Sequence, residues 1–407
     1  MVMVSRRGES GAVSLFLVIF AMLLITVVTL SFLRIMINDQ QQASAADLSQ
    51  SARDSALAGI EDAKRELIYY RTLCSTDDAA GCLATKNSIT QDACNMGLSD
   101  VVTLTPNKNG EGVEEVPVQQ ARSASSDSLL NQYYTCVKMA LETEDYKGYT
   151  TANTSRLIPL QATDDVTSVT IQWYLPSDLG SSSTAVDLLS SANAASARPL
   201  YQQSKWVAAR PSLMRVQLMQ VGPDDAATGF KLTDFDKNDD SNAINSNANT
   251  IFLYPTAKPT PTTPNNSYAI AGEDTRQSAS GVPKPTVCSS NLSGGGYACT
   301  ATITLPRAIG QTDDKRTAYL RITPLYNATN FRVTLGGSNP DVLFDGVQPA
   351  IDSTGRANDL YRRVEARVDL ADTSFPFPEA AVDLTSSLCK DFLVTKTASE
   401  AKNNCSF

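Results

Sequence analysis

Residues 11–33, GAVSLFLVIFAMLLITVVTLSFL, carry no charge, and Ala12–Leu33 alone is a run of 22 residues. About 20 apolar residues rising 1.5 Å each span the hydrocarbon of a bilayer, so this run predicts a transmembrane helix. Arg6 and Arg7 precede it, which by the positive-inside bias places the N-terminus in the cytoplasm; Arg34 and Asp39 on the far side pull mildly the other way. No second apolar run of this length follows. The expected topology is therefore single-pass, with the chain beyond residue 40 outside the cytoplasm. A secretory signal peptide is the competing reading, since Ala43-Ser44-Ala45 has the small residues of a cleavage site. The run is longer than an apolar signal core of about 7–15 residues, and Arg34 and Asp39 stand before the alanines. Retention of the helix is the favoured expectation.

Nothing obvious ends this helix at the membrane. Between Ala12 and Arg71 there is no proline and a single glycine, Gly59, so one helix is predicted over 12–71, about 90 Å long. Beyond the membrane, Ala45, Leu48, Ala52, Ser55, Gly59, Ala63, Leu67 and Tyr70 recur at three- and four-residue steps and make one small-to-apolar face. Asp47, Gln50, Arg53, Asp54, Glu61, Lys64 and Arg65 mostly occupy the rest. The charge pairing is mixed, with Glu61 beside Arg65 but Asp62 beside Glu66, and is not that of a coiled coil.

After Arg71 the texture changes to alternating apolar and polar residues between Ser, Thr, Asn, Gly and Pro clusters, the pattern of strands. Val169, Ile171, Trp173 and Leu175 share a face, as do Met214, Val216 and Leu218, and Tyr297, Cys299, Ala301, Ile303 and Leu305. Leu320 and Ile322, then Phe331, Val333 and Leu335, then Val364, Ala366, Val368 and Leu370 continue the pattern. Arg363, Glu365, Arg367 and Asp369 give that last strand a solvated face. The expected fold is α+β: a long N-terminal helix packed on an antiparallel, β-rich, disulfide-stapled extracytoplasmic body. Four prolines in 255–266 read as a connector, which divides the body into a membrane-proximal lobe over 72–254 and a distal lobe over 267–407.

The chemistry is restricted more by what is missing. The 407 residues include no histidine, which removes Ser-His-Asp and Cys-His catalysis and His-ligated metals. A formal net charge of -9 argues against direct nucleic-acid binding. There is no G-x-S-x-G, Walker-type or Rossmann fingerprint, and no spacing selects a carboxylate pair for acid–base work. Gly294-Gly295-Gly296 reads as a hairpin turn, and Trp173 and Trp206 as packing residues. The eight cysteines are Cys74, Cys82, Cys94, Cys136, Cys288, Cys299, Cys389 and Cys405. None are spaced C-x-x-C, and all fall on the outer side, which favours disulfides over thiols. Local spacing suggests Cys288–Cys299 around the NLSGGGY turn and Cys389–Cys405 at the C-terminal tail, leaving the first four to pair among themselves in a way that spacing leaves open. Asp234, Asp236, Asn238 and Asp240 alternate like the first half of an EF-hand loop, so calcium is a candidate cofactor. Asp239 stands where the loop glycine belongs and Asn245 where the bidentate glutamate belongs. A solvated turn is the stronger reading of that run.

A short basic leader ending in glycine, followed by an apolar helix that continues as an amphipathic one, resembles the type IV pilin and pseudopilin superfamily. SGAVSLFLVIFAMLLITVV and DLSQSARDSALAGIEDAKREL are most similar to minor pilins of the PilX kind, over about the first 71 residues. The resemblance implies a leader at 1–11, cut by a prepilin peptidase between Gly11 and Ala12, with Gly8 a second candidate. It implies other pilin subunits and the membrane as partners, and a structural role, with no enzymatic activity. The Cys389–Cys405 loop also resembles the C-terminal disulfide loop of pilins. Major pilins carry a glutamate at the fifth mature position, which is Phe16 here, and that departure together with the large body implies a place at or near a filament tip. The alternative is a single-pass, membrane-anchored surface binding protein outside any filament.

Overall fold

The computed structural model describes residues 10–76, 78–98, 100–102, 114–118, 131–180, 184–189, 203, 206–221, 250–257, 266–270, 283–309, 317–339 and 342–370. With no proline to interrupt it, the N-terminal segment forms one helix, α1 (Ser10–Cys74), of 65 residues, about 98 Å long. A second helix, α2 (Ala79–Ile89), starts where the Asp78 carboxylate accepts a hydrogen bond from the Gly81 amide at 2.9 Å. A 3-10 turn (Met96–Leu98) follows.

Strands make up most of the remaining described chain. The first seven are β1 (Val116–Pro117), β2 (Gln132–Thr143), β3 (Asp145–Thr150), β4 (Arg156–Pro159), β5 (Val166–Trp173), β6 (Leu213–Val221) and β7 (Thr250–Thr256). The other seven are β8 (Ser267–Ala269), β9 (Lys284–Val287), β10 (Cys299–Ile309), β11 (Thr317–Leu325), β12 (Thr329–Gly337), β13 (Phe344–Ala357) and β14 (Leu360–Arg367). The molecule is thus a long apolar helix joined to a β-rich body, an α+β chain.

The chain clusters into two compact units, residues 1–139 with 351–366, and residues 140–350 with 367–407. These units cut across the 72–254 and 267–407 lobes expected from the sequence. The reason is strand exchange: β11 pairs with β4 and β6, and β10 with β5, so strands from both sides of the proline-rich connector share sheets.

In the first unit, α1 lies on a four-stranded sheet of order β1-β2-β13-β14. Ala52, Ser55, Ala56, Gly59, Ile60, Ala63, Glu66 and Leu67 of α1 are buried, whereas the helix is exposed on every side from Leu15 to Asp47. Helix and sheet meet almost backbone to backbone. A Cβ added to Gly355 of β13 would lie 2.2 Å from both the Ala52 carbonyl oxygen and the Ala56 amide nitrogen. One added to Gly59 would lie 2.5 Å from the Ser353 hydroxyl and 2.8 Å from a Val137 methyl. Small residues at 52, 56, 59 and 63 permit this approach. β14 has the predicted solvated face, with Arg363 and Glu365 exposed.

The second unit is a sandwich of two five-stranded sheets, ordered β3-β12-β5-β10-β8 and β4-β11-β6-β7-β9. Their inner faces share one core, in which Val169, Ile171, Trp173, Ala301, Ile303, Phe331 and Val333 from the first sheet meet Met214, Val216, Leu218, Ile251, Leu320 and Ile322 from the second. The sheets are mixed rather than purely antiparallel, because β8 runs parallel to β10 and β9 parallel to β7. The chain changes sheet at each step from β7 to β10, and a strand that returns to its sheet after such an excursion is free to run parallel.

The contact geometry predicts an order of sensitivity. Gly355→Ala drives a methyl into fixed helix backbone and should cost about 3 kcal/mol, the upper part of the overpacking range. Gly59→Ala meets side chains alone, the Ser353 hydroxyl, a Val137 methyl and the Tyr134 ring, and gains about 1 kcal/mol of helix propensity, so it should cost about 1 kcal/mol, less than Gly355→Ala. Urea unfolding of the two variants in detergent micelles, followed on tryptophan-free probes of the first unit, checks the ranking.

Candidate functional site: the N-terminal helix and its dock

The exposed part of α1 is uniformly apolar from Leu15 to Leu33, and Phe16 is 78% exposed. Its few hydroxyls turn inward onto the helix. Thr26 donates to the Met22 and Leu23 carbonyls, Thr29 to Ile25 and Ser31 to Val27. Every polar group in this stretch can therefore be satisfied within the helix, the condition for residence in hydrocarbon. Among the described residues this is the one helix long and apolar enough to cross a membrane, with a mean hydropathy of 2.8 in its most apolar window. Its length and composition suit a membrane anchor or a signal sequence. Gly11 and Ala12 lie in its first turn.

The opposite end of α1 is fastened covalently and electrostatically. Cys74 bonds Cys82, joining α1 to α2, and Cys94 bonds Cys136, joining the chain before the 3-10 turn to β2. Asn95, next to the second disulfide, takes a left-handed conformation at φ 64° that places its side chain to serve two segments. Its amide donates to the Glu114 and Thr135 carbonyls at 2.6 and 3.1 Å, and its oxygen accepts from the Val137 amide at 2.8 Å. Tyr134 of β2 donates its hydroxyl to Asp62 of α1 at 2.9 Å, and burial above all, then the Asp62 charge, raises the phenol well above its ordinary range.

A buried ion pair closes the same sheet. Arg356 of β13 and Glu115, beside β1, are 1% and 2% exposed, and the guanidinium holds both carboxylate oxygens, at 3.2 and 2.7 Å. Arg356 also donates to the Asn131 side chain and the Asn358 carbonyl and lies 4.9 Å from the centre of the Tyr133 ring. The pair fastens the short strand β1, which has only two residues, Val116 and Pro117, of its own.

The other residues singled out by sequence fall as follows. Cys288 bonds Cys299 across the glycine turn, where Gly295 and Gly296 have φ of 73° and 80°. Cys389, Cys405 and the acidic run of Asp234, Asp236, Asn238 and Asp240 lie outside the described residues. Among the described residues, no cluster of three or more Asp, Glu or Cys side chains could hold a metal ion. Trp173 is fully buried and donates to the Ser212 carbonyl at 3.0 Å. Trp206 is also buried, stacked on Tyr326 at 4.6 Å and under the Arg210 guanidinium at 5.1 Å. Both tryptophans pack; neither presents a face.

Sequence reasoning missed three residues of the dock. Gly355 reads as a strand breaker, Arg356 needs a partner 241 positions away, and Glu66 reads as one more surface charge although it is 1% exposed. No protein-family model, curated protein or solved structure matches the chain.

Removing one member of the buried pair leaves the other charge stranded. Arg356→Met should cost about 3–5 kcal/mol in chemical unfolding, and Arg356→Met with Glu115→Gln should cost clearly less than the sum of the two single changes.

Proposed function

We propose that the protein is a minor pilin-like subunit of a type IV pilus or related filament, carried at or near the tip. The observation that carries the reading is the division of one unbroken helix into two halves: an apolar half exposed all round, and a half built onto a sheet through small residues. The resemblance of residues 1–71 to pilin N-termini supports it. In this reading a prepilin peptidase cuts after Gly11, and the helix from Ala12 waits in the inner membrane. It then leaves the bilayer by exchanging lipid for the helices of neighbouring subunits, held by side-chain packing contacts between apolar helices.

Phe16 supports a terminal position. A glutamate there would offset a neighbour's N-terminal ammonium inside an apolar bundle, and an uncompensated charge in that medium costs several kcal/mol by order of magnitude. A subunit without the carboxylate is best placed where no neighbour's amine needs it. The sandwich of the second unit would then be displayed to the surroundings, for priming assembly or contacting a surface.

Two experiments test this. Gly11→Asp should leave residues 1–11 on the mature chain, as read by N-terminal sequencing, and normal trimming of that variant would remove the pilin reading. Mechanical shearing of cells without detergent should release the protein together with fibres. An anchored binding protein of the same topology would stay in the membrane pellet.

A further inference from the structure

Glu66 lies between Ala63 and Leu67 on the buried stripe of α1, with 1% of its surface exposed. Neither carboxylate oxygen has a hydrogen-bond partner among the described residues. A carboxylate in that position forfeits its hydration without replacement, so the charged form is the costly one. α1 packs against α2 and the 3-10 turn, which bury Thr85, Ile89, Gly97 and Leu98. The charge that acts on Glu66 from beyond that turn is Asp100, of the same sign.

The remaining ionisable groups of the surrounding elements do not offset it. Asp62, one turn back on α1, accepts from Tyr134 of β2 and from Arg65. Lys138 of β2 bonds Asp92, and Arg356 and Arg363 bond Glu115 and Asp352. Lys86 is the charged residue of α2, and Tyr70 follows one turn later on α1. Burial first and Asp100 second push the Glu66 carboxyl up to about 7, from an ordinary value of 4.5.

We infer that Glu66 makes the junction of α1, α2 and the 3-10 turn a proton-operated latch, closed while the carboxyl is neutral and loosened once it ionises. The Cys74–Cys82 and Cys94–Cys136 bonds tether α2 and the turn at both ends, so the loosening is local and reversible. In the opened junction Glu66 is solvated and releases its proton near 4.5; in the closed one it keeps the proton to about 7. The closed form therefore binds more protons between those values. Its stability falls as pH rises through that window, then levels off. The opening constant should rise about tenfold per pH unit, on the order of a hundredfold in all. This holds whether or not the protein enters a filament.

The test is amide hydrogen exchange by mass spectrometry on the full chain in detergent micelles from pH 4.5 to 8.5, corrected for intrinsic exchange rates. Protection over 79–98 should drop on the order of a hundredfold by pH 7 and then stay level, while β5 and β10 of the sandwich keep theirs. Glu66→Gln should flatten the profile. Asp100→Asn should start the plateau at a lower pH. A flat wild-type profile, an unchanged slope in Glu66→Gln, or a plateau unmoved by Asp100→Asn would each overturn the latch.

Discussion

The near-contact between the backbone of α1 at Ala52 and Ala56 and that of β13 at Gly355 is the constraint on which the first unit rests. A helix normally stands off a sheet by the thickness of two side-chain layers. Here glycine on the strand and alanines on the helix remove one of those layers, so the helix registers on the sheet at a fixed point along its length. Everything N-terminal to that point, from Leu15 to Asp47, projects without protein contact in the single chain. Everything C-terminal to it is tied down, by the Tyr134–Asp62 hydrogen bond, by two disulfides and by the Asn95 side chain. Small residues thus do two jobs in one helix, closing the dock and fixing where the free part begins.

Buried charge organises the rest. In the first unit the Arg356–Glu115 pair brings β1 to the sheet. In the second, the Asp145 carboxylate is 4% exposed and receives Arg332 at 2.6 Å, with Arg367 and Lys147 each at 3.2 Å. Asp178 accepts from the Leu175 and Asn330 amides and from the Asn330 side chain, fixing the end of β5 where Tyr174 takes φ of 72°. Each of these acids has two or more donors. Neither carboxylate oxygen of Glu66 has one among the described residues.

Much of the helix was legible from residues alone. Absence of proline from 12 to 71 gave a continuous rod, and the structure extends it only to Ser10–Cys74. The buried stripe follows the predicted face at Ala52, Ser55, Gly59, Ala63 and Leu67, but Ala45 is exposed because the dock begins only near Leu48. Inner faces of β5, β6, β10, β11 and β12 followed from alternation. The two long strands of the first sheet, β2 and β13, did not. β13 contains Gly346, Pro349 and Gly355, which locally argue against a strand, and Gly355 makes sense only once α1 is lying on it. Pairing order was equally hidden, since β4, β6 and β11 meet across more than 150 residues of sequence and no local signal encodes such a partner.

A helix with one half fastened by such means and the other half bare and apolar has no use for the bare half in water. Its length and composition suit a membrane anchor or a signal sequence, so the account stands on its survival in the mature protein. Intact-mass measurement of the protein purified from cells decides this directly. The account predicts a mature chain that starts at Ala12 and still contains the whole apolar run. A mature chain that starts beyond Ala45 would contradict it.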